Sequence, residues 1–275
     1  MKNLKETVRI IESLDGQLSE ACSHEKPLPC SFVETGKMLS SVNDVNTARH
    51  LLYYAFQPLF DLLLTEGHIK RTEAISLLGE VTDTSKKYLT EYYLGKPDLK
   101  IVHNLGNKIR NYELSEPVYK TKFRNIDYNG IYAKDIGRFI KRILLMVDKG
   151  KIEKPDAIIG CACGSSELAL PLAGVFGCEI GFIRKSKRRS DDEPLLIAEQ
   201  TDVIKEMCNG KNVICVEDYI VTARSLDAIM SKVKSMGAKT VIGAASIRSA
   251  DEDLSLGLTW DTDTEGRNII YKYGK

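Results

Sequence analysis

Hydrophobic residues recur in two different patterns along this chain and divide it into two unlike parts. From about residue 126, short runs of apolar, β-branched residues alternate with amphipathic helical segments. The apolar runs predict strands at residues 156–160, 179–183, 212–216 and 240–246. Strands that alternate with helices are typical of a parallel sheet covered by helices on both faces. We therefore predict an α/β domain over residues 126–275.

Apolar residues at helical spacing mark the helices of this domain. Over residues 132–149, Ile136, Ile140 and Ile143 share one face, and lysines and arginines cover the other. After the third predicted strand, a second stripe consists of Leu226, Ile229, Met230 and Val233. Both stripes predict helices that bury one face and expose the other.

Residues 1–125 lack this alternation and are predicted to form a mostly α-helical N-terminal domain. Residues 51–64 are strongly apolar, and Pro58 predicts a kink or a break within them. Five tyrosines fall on the helical patterns of this region: Tyr53, Tyr54, Tyr88, Tyr92 and Tyr93. Tyrosine rings can stack on a nucleobase, but tyrosines on apolar helix faces usually belong to the core. We predict that these tyrosines are core residues.

Another helix is predicted at residues 72–94, with an interruption near Gly79 or Asp83. The first 125 residues contain no repeat, no low-complexity tract and no catalytic motif. Three roles are compatible with such a region: completing a ligand site, forming an oligomer interface, or docking a partner. The sequence leaves these three open.

Composition favours a metabolic protein that is soluble in the cytoplasm. The chain has 275 residues, of which 43% are hydrophobic and 28% are charged, enough for a core and a solvated surface. The formal net charge is only +1, so the electrostatic field of the protein as a whole does not attract nucleic acid or acidic membranes. No secretory segment or membrane span is visible, and we expect a cytoplasmic location.

The seven cysteines do not suggest a disulfide framework, because they are odd in number and scattered along the chain. We interpret them as small buried residues rather than as metal ligands, and we predict no protein-held metal. No histidine follows His103, which argues against Ser-His or Cys-His nucleophilic chemistry in the second half of the chain.

Candidate chemistry is concentrated directly after the third predicted strand, where Glu217 and Asp218 stand side by side. The loop that follows consists of Val221, Thr222, Ala223, Arg224 and Ser225, and it leads into a helix. The first N–H groups of a helix have no partner within the helix, so an anion such as phosphate fits at this junction. Carboxylates beside a phosphate pocket suit sugar hydroxyls, Mg²⁺ or a cationic transition state. A solvated acidic turn is the plain structural alternative.

Two further segments have similar potential. A small-residue loop of Ala162, Cys163, Gly164 and Ser165 follows the first predicted strand, and it allows a ligand to approach the backbone closely. A basic cluster of Arg184, Lys185, Lys187, Arg188 and Arg189 follows the second predicted strand. The cluster could bind nucleic acid, but Asp191, Asp192 and Glu193 follow at once and cancel much of its charge, which argues against nucleic acid as a partner. Tight packing of the first loop and plain solvation of the second are the structural alternatives.

Together the three segments resemble the type I phosphoribosyltransferases. The acidic segment matches the pattern [ED]-D-x-x-x-T-[GA]-x-[ST] at every defining position, with Ala223 where glycine is commonest. The resemblance implies that Glu217 and Asp218 hold the ribose hydroxyls of phosphoribosyl pyrophosphate, and that residues 221–225 hold its 5′-phosphate. It also implies that residues 162–165 bind the pyrophosphate through backbone N–H groups. The basic cluster would close over the site and neutralise the leaving pyrophosphate, with Lys185 and Lys187 as catalytic cations.

The implied fold is a parallel-sheet phosphoribosyltransferase core flanked by helices, and the implied reaction is phosphoribosyl transfer to a nitrogenous base. Mg²⁺ would be carried mainly by the oxygens of phosphoribosyl pyrophosphate. The spelling of the basic cluster is most similar to the R-K-x-x-K loop of the orotate branch, which favours a pyrimidine such as orotate as the acceptor. Arg189-Ser190 replaces the His-Gly that usually follows in that branch. A homodimer is expected, because family members often share sites across a two-fold axis.

A regulator is the alternative to an enzyme. Some proteins with this fold sense phosphoribosyl pyrophosphate or nucleotides with little catalysis, and the long helical leader is compatible with a sensor or effector. Arg224 resembles the T-G-R-T spelling found in regulators of pyrimidine operons. We favour the enzyme, because the acidic pair and the cationic loop are both retained.

Overall fold

A computed structural model gives the structure of this chain. It describes residues 4–18, 32–65, 70–111, 133–185, 193–220, 223–248, 260–262 and 269–272. The chain forms two compact units, one of Met1–Asp15 with Lys134–Lys275 and one of Gly16–Ala133. The predicted domain boundary between residues 125 and 126 lies outside the described residues and stays a prediction.

The helices are α1 (Leu4–Leu18), α2 (Phe32–Leu39), α3 (Val45–Thr65), α4 (Arg71–Tyr93), α5 (Leu99–Asn111), α6 (Ala133–Asp148), α7 (Ser166–Phe176), α8 (Thr201–Cys208) and α9 (Arg224–Ser235). The strands are β1 (Ala157–Ala162), β2 (Glu179–Arg184), β3 (Asn212–Ile220), β4 (Thr240–Arg248), β5 (Trp260–Thr262) and β6 (Ile269–Lys272). None of the described helices is long and apolar enough to cross a membrane.

In the described residues, one sheet contains the strands in the order β2-β1-β3-β4-β6-β5. The first four pair in parallel, β6 pairs antiparallel with β4, and β5 pairs antiparallel with β6. Helices follow β1 and β3, as expected for parallel crossovers. The predicted α/β class and its parallel sheet are therefore confirmed.

The core of this unit lies between the sheet and the helices that cover it. Every residue of β1 is buried, which is typical of a central strand with both faces covered. One buried cluster joins β1, β3 and β4 to α8 and α9, and includes Ile159, Cys215, Ile229, Met230 and Val233. The stripe predicted on α9 is therefore the face that packs on the sheet.

The first helix of the chain belongs to this unit and pairs with α6 by charge. The Nε of Arg138 lies 3.6 Å from Asp15 Oδ1, and the Nζ of Lys141 lies 3.6 Å from Glu12 Oε1. These side chains are substantially exposed, so each ion pair contributes little stability. The basic face predicted on residues 132–149 is thus used in part to bind α1.

The third and fourth strands are longer than predicted. They end at Ile220 and Arg248, because their backbone pairing continues from Asn212–Thr240 to Ile220–Arg248. The acidic pair at 217–218 therefore lies inside β3, whereas the sequence predicted that the strand ends at residue 216. Pairing between strands extended the element beyond its most apolar stretch.

The predicted interruption of α4 is wrong, and α3 does not break at Pro58, where the sequence predicted a kink or a break. Helix α3 continues through Pro58, and α4 continues through Gly79 and Asp83. A glycine costs a helix only about 1 kcal/mol relative to alanine, and α4 buries a long face that includes Leu77, Val81 and Tyr88. Burial of that face outweighs the local preference.

The five tyrosines are core residues, as predicted, with exposures from 0% to 6%. Two of their hydroxyl groups donate hydrogen bonds: Tyr88 Oη donates to Val45 O at 2.8 Å, and Tyr92 Oη donates to Asn46 Oδ1. Burial is the main cause that raises the pKa of Tyr88 above its ordinary value, and Tyr92 and Asp44 act in the same direction. Tyr88 therefore stays neutral and serves as a hydrogen-bond donor inside the helical unit.

Helices α2 and α5 cross closely at two glycines. A Cβ on Gly106 would lie 2.8 Å from Gly36 O and 2.8 Å from the carbonyl carbon of Leu39. A Cβ on Gly36 would lie 2.6 Å from Ile109 Cγ2. Both glycines are needed because the two backbones approach more closely than any side chain permits.

We predict that Gly106→Ala destabilises the protein by about 1–3 kcal/mol, because the new methyl group clashes with backbone atoms, which can move only if a helix shifts. Gly79→Ala is the matched control, since a Cβ there meets nothing within 4 Å. That control should be stabilising by about 0.5–1 kcal/mol, because alanine is the better helix former. Urea denaturation of the full chain measures both. Equal midpoints for the two variants would contradict the close crossing.

Candidate functional site

The carboxyl ends of β1, β3 and β4 bring the predicted site residues to one edge of the sheet. The register of β1 on β3 pairs Gly160 with Val216, so the next residues, Cys161 and Glu217, are neighbours. This edge is where open α/β sheets bind their ligands.

The loop after β1 lies directly against the acidic pair. A Cβ on Gly164 would lie 2.7 Å from Asp218 Cγ and 2.8 Å from its Oδ1. Asp218 therefore packs its carboxylate against the bare Cα of Gly164. The structure thus brings together two of the three predicted segments.

The same loop turns tightly from strand to helix. Ser165 is fully buried, and its Oγ donates to Cys161 O at 2.9 Å. The N–H of Ser166 donates to Cys163 O at 3.1 Å, and the peptide bond between Ala162 and Cys163 is cis. Side chains at 162 and 163 are buried, so a ligand would meet the backbone of this turn first.

Glu217 is the most perturbed acid of the site. The residue is half-buried, and enclosure of its carboxyl group raises the pKa of Glu217 well above its usual range, with the Asp218 carboxylate acting in the same direction. A hydrogen bond with the Cys161 side chain opposes this effect. Burial and the nearby Glu217 also raise the pKa of the Cys161 thiol. Glu217 is thus poised to hold a proton until a ligand or a charge displaces it.

The helix after the acidic pair begins with a strained residue. Ala223, the N-cap of α9, has φ +55°, the left-handed conformation that favours glycine, and its side chain is buried. This explains why glycine is commonest at this position of the motif. Arg224 is exposed and Ser225 is half-buried in the first turn of the helix, while Val221 and Thr222 lie outside the described residues.

The structure describes only the first two residues of the basic cluster. Arg184 is the last residue of β2 and is only 5% exposed. Its N–H donates to Leu195 O at 2.9 Å, and the Leu195 N–H donates to Arg184 O at 2.7 Å. Lys185 is half-buried. Lys187, Arg188 and Arg189 lie outside the described residues, so their predicted contacts with substrate stay predictions.

Two residues of this edge were not predicted from the sequence. One is Cys161, whose side chain forms a hydrogen bond with Glu217. The other is Ser246 of β4, which lies beside Asp218 because the residues before and after them are paired, Glu217 with Ala245 and Tyr219 with Ile247. Ser246 Oγ is buried and has no hydrogen-bond partner in the part of the chain that the structure describes. Ser246 could have been found from the sequence, because it is the seventh residue of its strand, counted from Thr240, as Asp218 is the seventh of its strand, counted from Asn212.

Residues 124–266, just over half of the chain, match the model of the phosphoribosyl transferase domain family. The chain therefore belongs to this family, and its fold and acidic motif agree with that assignment. It is accordingly an enzyme of the phosphoribosyltransferase class, which transfers a phosphoribosyl group to an acceptor.

Solved structures give a weaker likeness. A purine phosphoribosyltransferase from Pyrococcus horikoshii Ot3 is 23% identical with a TM-score of 0.32, over 42% of this chain and 73% of that chain. A hypoxanthine phosphoribosyltransferase from Staphylococcus aureus is 21% identical with a TM-score of 0.33, over 44% and 70%. The enzyme of Trypanosoma cruzi with the same activity is 19% identical with a TM-score of 0.31, over 51% and 91%.

These values are too low to transfer the base specificity of those enzymes to this chain. No curated protein sequence matches it.

We predict that Ala223→Gly preserves folding and stabilises the protein by up to about 1 kcal/mol, because glycine adopts the left-handed conformation without the cost of a Cβ. Ala223→Val should be clearly destabilising, since a β-branched residue is a severe outlier at positive φ. Thermal unfolding of the two variants measures the difference. A valine variant as stable as the glycine variant would contradict the observed conformation.

We predict that Gly164→Ala disrupts the site while leaving the fold intact, because the new methyl group must displace the Asp218 carboxylate or the loop. A misplacement of about 1 Å can cost about 100-fold in rate, and we expect a loss of that order in kcat/KM. Gly79→Ala is again the control for the substitution itself. Wild-type kinetics in the Gly164→Ala enzyme would refute the contact.

Proposed function

We propose that this edge of the sheet binds phosphoribosyl pyrophosphate and transfers its phosphoribosyl group to a nitrogenous base, releasing pyrophosphate. The observation that carries the proposal is the packing of Asp218 on Gly164. This contact joins the acidic motif to the loop after β1. One ligand can therefore contact the carboxylates with its sugar and the loop backbone with its pyrophosphate.

The acidic pair suits the sugar. Ribose hydroxyls are donors, and carboxylate oxygens accept hydrogen bonds from them. As the bond at C1 weakens, positive charge develops on the ring, and nearby carboxylates stabilise it. Enclosure of Glu217 lowers the local dielectric constant and so strengthens this interaction.

The start of α9 suits the 5′-phosphate. Its first N–H groups have no partner within the helix and carry partial positive charge, and the N-cap Ala223 adopts the left-handed conformation. Ser225 adds a hydroxyl donor, and the exposed Arg224 adds a cation at the rim. Thr222 completes the proposed phosphate loop.

The donors of this edge also fit Mg²⁺, since carboxylate oxygens are ligands that this ion accepts. We propose that the ion would enter with phosphoribosyl pyrophosphate and would be carried mainly by the oxygens of that substrate, while Glu217 and Asp218 hold the ribose hydroxyls. When bound, Mg²⁺ neutralises charge on the leaving group. The protein residues position the substrate around it.

The segment after β2 suits a closing loop. Two backbone hydrogen bonds join Arg184 to Leu195, so the ends of the segment between these two residues are held together. We propose that Lys185 and Lys187, with Arg188 and Arg189, approach the leaving pyrophosphate and exclude water when the loop closes. Arg184 is buried at the base of the loop, so we place it as a support rather than as a direct contact.

We propose a pyrimidine, first of all orotate, as the acceptor, on the spelling of the basic cluster. Pyrophosphate release from phosphoribosyl pyrophosphate and Mg²⁺ should be measured with orotate, uracil, hypoxanthine, guanine, xanthine and adenine. Release with orotate or uracil supports the choice, and release with a purine alone refutes it. If folded protein binds phosphoribosyl pyrophosphate but releases no pyrophosphate with any of these bases, the result would favour a sensor.

The proposed partners are these small molecules and a second copy of the chain. Sedimentation of the full-length protein tests the homodimer.

We predict that Asp218→Asn lowers kcat by about 100-fold or more without unfolding the protein, because it removes a charge aimed at the sugar. Asp202→Asn is the matched control, an exposed aspartate on α8 that is not among the proposed site residues. Circular dichroism checks folding, and pyrophosphate release measures kcat. If both variants turn over at the wild-type rate, Asp218 has no place in the mechanism.

A further inference from the structure

A buried hydroxyl group lies next to the acidic pair and is not used by the core. Ser246 on β4 is only 1% exposed, and its Oγ has no hydrogen-bond partner among the residues that the structure describes. Burying a hydroxyl group in this way destabilises a folded chain, because the group has given up its hydrogen bonds to water. Packing does not require the hydroxyl either, since alanine fills position 244 on the same face of the strand and is buried to the same extent. The core alone therefore does not account for a serine here.

The register of the sheet places Ser246 beside Asp218. The residues before them are paired with each other, and so are the residues after them, so the two are level on neighbouring strands. Level residues of parallel strands point to the same face of the sheet, and neighbouring strands lie about 4.8 Å apart. Ala245 belongs to the cluster that packs on α9, so Ser246 and Asp218 point to the opposite face.

The two side chains are chemically complementary. A serine hydroxyl donates one hydrogen bond, and a carboxylate oxygen accepts it. Rotation about the first side-chain torsion moves either group between staggered positions, and at the spacing of neighbouring strands a direct bond is within reach. In this structure the carboxylate packs against Gly164, on the loop after β1. Because β1 and β4 lie on opposite sides of β3, Asp218 stands between a glycine with no side-chain donor and a serine with one.

We propose that Ser246 is a positioning residue, whose hydroxyl donates a hydrogen bond to the Asp218 carboxylate when the ribose of phosphoribosyl pyrophosphate binds. The bond holds the carboxylate toward the sugar hydroxyls, and it is a strong one because its acceptor is charged. The fold keeps a destabilising hydroxyl in return for this contact, a common exchange of stability for activity. The role in turnover rests on the function proposed above, whereas the cost of burying the hydroxyl does not.

Thermal unfolding of the full chain without substrate is the first measurement. Ser246→Ala removes the hydroxyl together with the cost of burying it, so the variant should unfold at the wild-type temperature or about 2–4 °C above it. A lower unfolding temperature would show that the folded chain already uses the hydroxyl, and it would overturn the proposal.

Ser85→Ala is the matched control. Ser85 of α4 is also 1% exposed, its Oγ likewise has no hydrogen-bond partner in the described part of the chain, and it is not among the proposed site residues.

Steady-state kinetics is the second readout. Because Asp218 is proposed to hold the sugar, Ser246→Ala should lower kcat/KM for phosphoribosyl pyrophosphate about 3- to 10-fold and leave the KM of the base unchanged. Ser85→Ala should keep both values. A loss of activity at unreduced stability is the signature of positioning, since a purely structural role would lower the two together. A change confined to the KM of the base would overturn the link to Asp218.

A double-mutant cycle tests that link directly. In an Asp218→Ala background the acceptor is gone, so adding Ser246→Ala should change kcat/KM by less than about 2-fold. Equal losses in the two backgrounds would show that Ser246 acts independently of Asp218 and would refute the positioning role.

Failure of the proposed reaction is distinguishable from failure of this inference. If the wild-type enzyme is active and Ser246→Ala matches it, only the positioning role fails. If the wild-type protein transfers to no base, the proposed reaction fails, and the same cycle is run on the dissociation constant of phosphoribosyl pyrophosphate, measured by calorimetry. Coupling between Ser246 and Asp218 in that constant would support the positioning role, and its absence would overturn it.

Discussion

The parallel register of β1, β3 and β4 is the constraint on which the rest of this structure depends. It fixes which side chains are neighbours at the carboxyl edge of the sheet, with Cys161 and Glu217 directly after the paired Gly160 and Val216, and Ser246 level with Asp218. A slip of one residue would exchange the two faces of a strand and separate these groups. Burial of β1 on both faces specifies the register strongly, so the core determines the chemistry at its edge.

That edge holds groups that a fold would otherwise avoid. Glu217 is enclosed next to a second carboxylate, and Ala223 adopts a backbone conformation that suits glycine. Each feature destabilises the folded chain when no ligand is present, and the surrounding sheet and helices offset the cost. Perturbed acids and strained turns are concentrated at functional sites because they position charge and backbone donors before the ligand arrives. The acidic pair, the loop at Gly164 and the start of α9 have these features, and we propose that they form such a site.

Much of this architecture could be predicted from the sequence, and the errors have physical causes. The apolar runs located the four parallel strands, and the helical spacing of Ile229 and Val233 located the packed face of α9. Gly79 and Asp83 suggested an interruption of α4 that did not occur, and α3 does not break at Pro58, because a buried face stabilises a helix beyond its local propensity. The polar ends of β3 and β4 hid their true length, since pairing between strands leaves no trace in hydrophobicity. The first 15 residues join the α/β unit through partners more than a hundred positions away, which no local pattern shows.

The sequence by itself determined the class of protein and the chemical groups available to it. The spacing of Glu217, Asp218, Thr222, Ala223 and Ser225 matches the motif of the phosphoribosyl transferase family, and it is readable because a strand, two acids and a helix start are local features. The tertiary structure decided which groups touch. Only the register brought the thiol of Cys161 to Glu217, and only the approach of two loops placed Asp218 on Gly164. Contacts between distant segments depend on how strands align and how closely backbones approach, and these follow from packing of the whole core rather than from any short stretch of sequence.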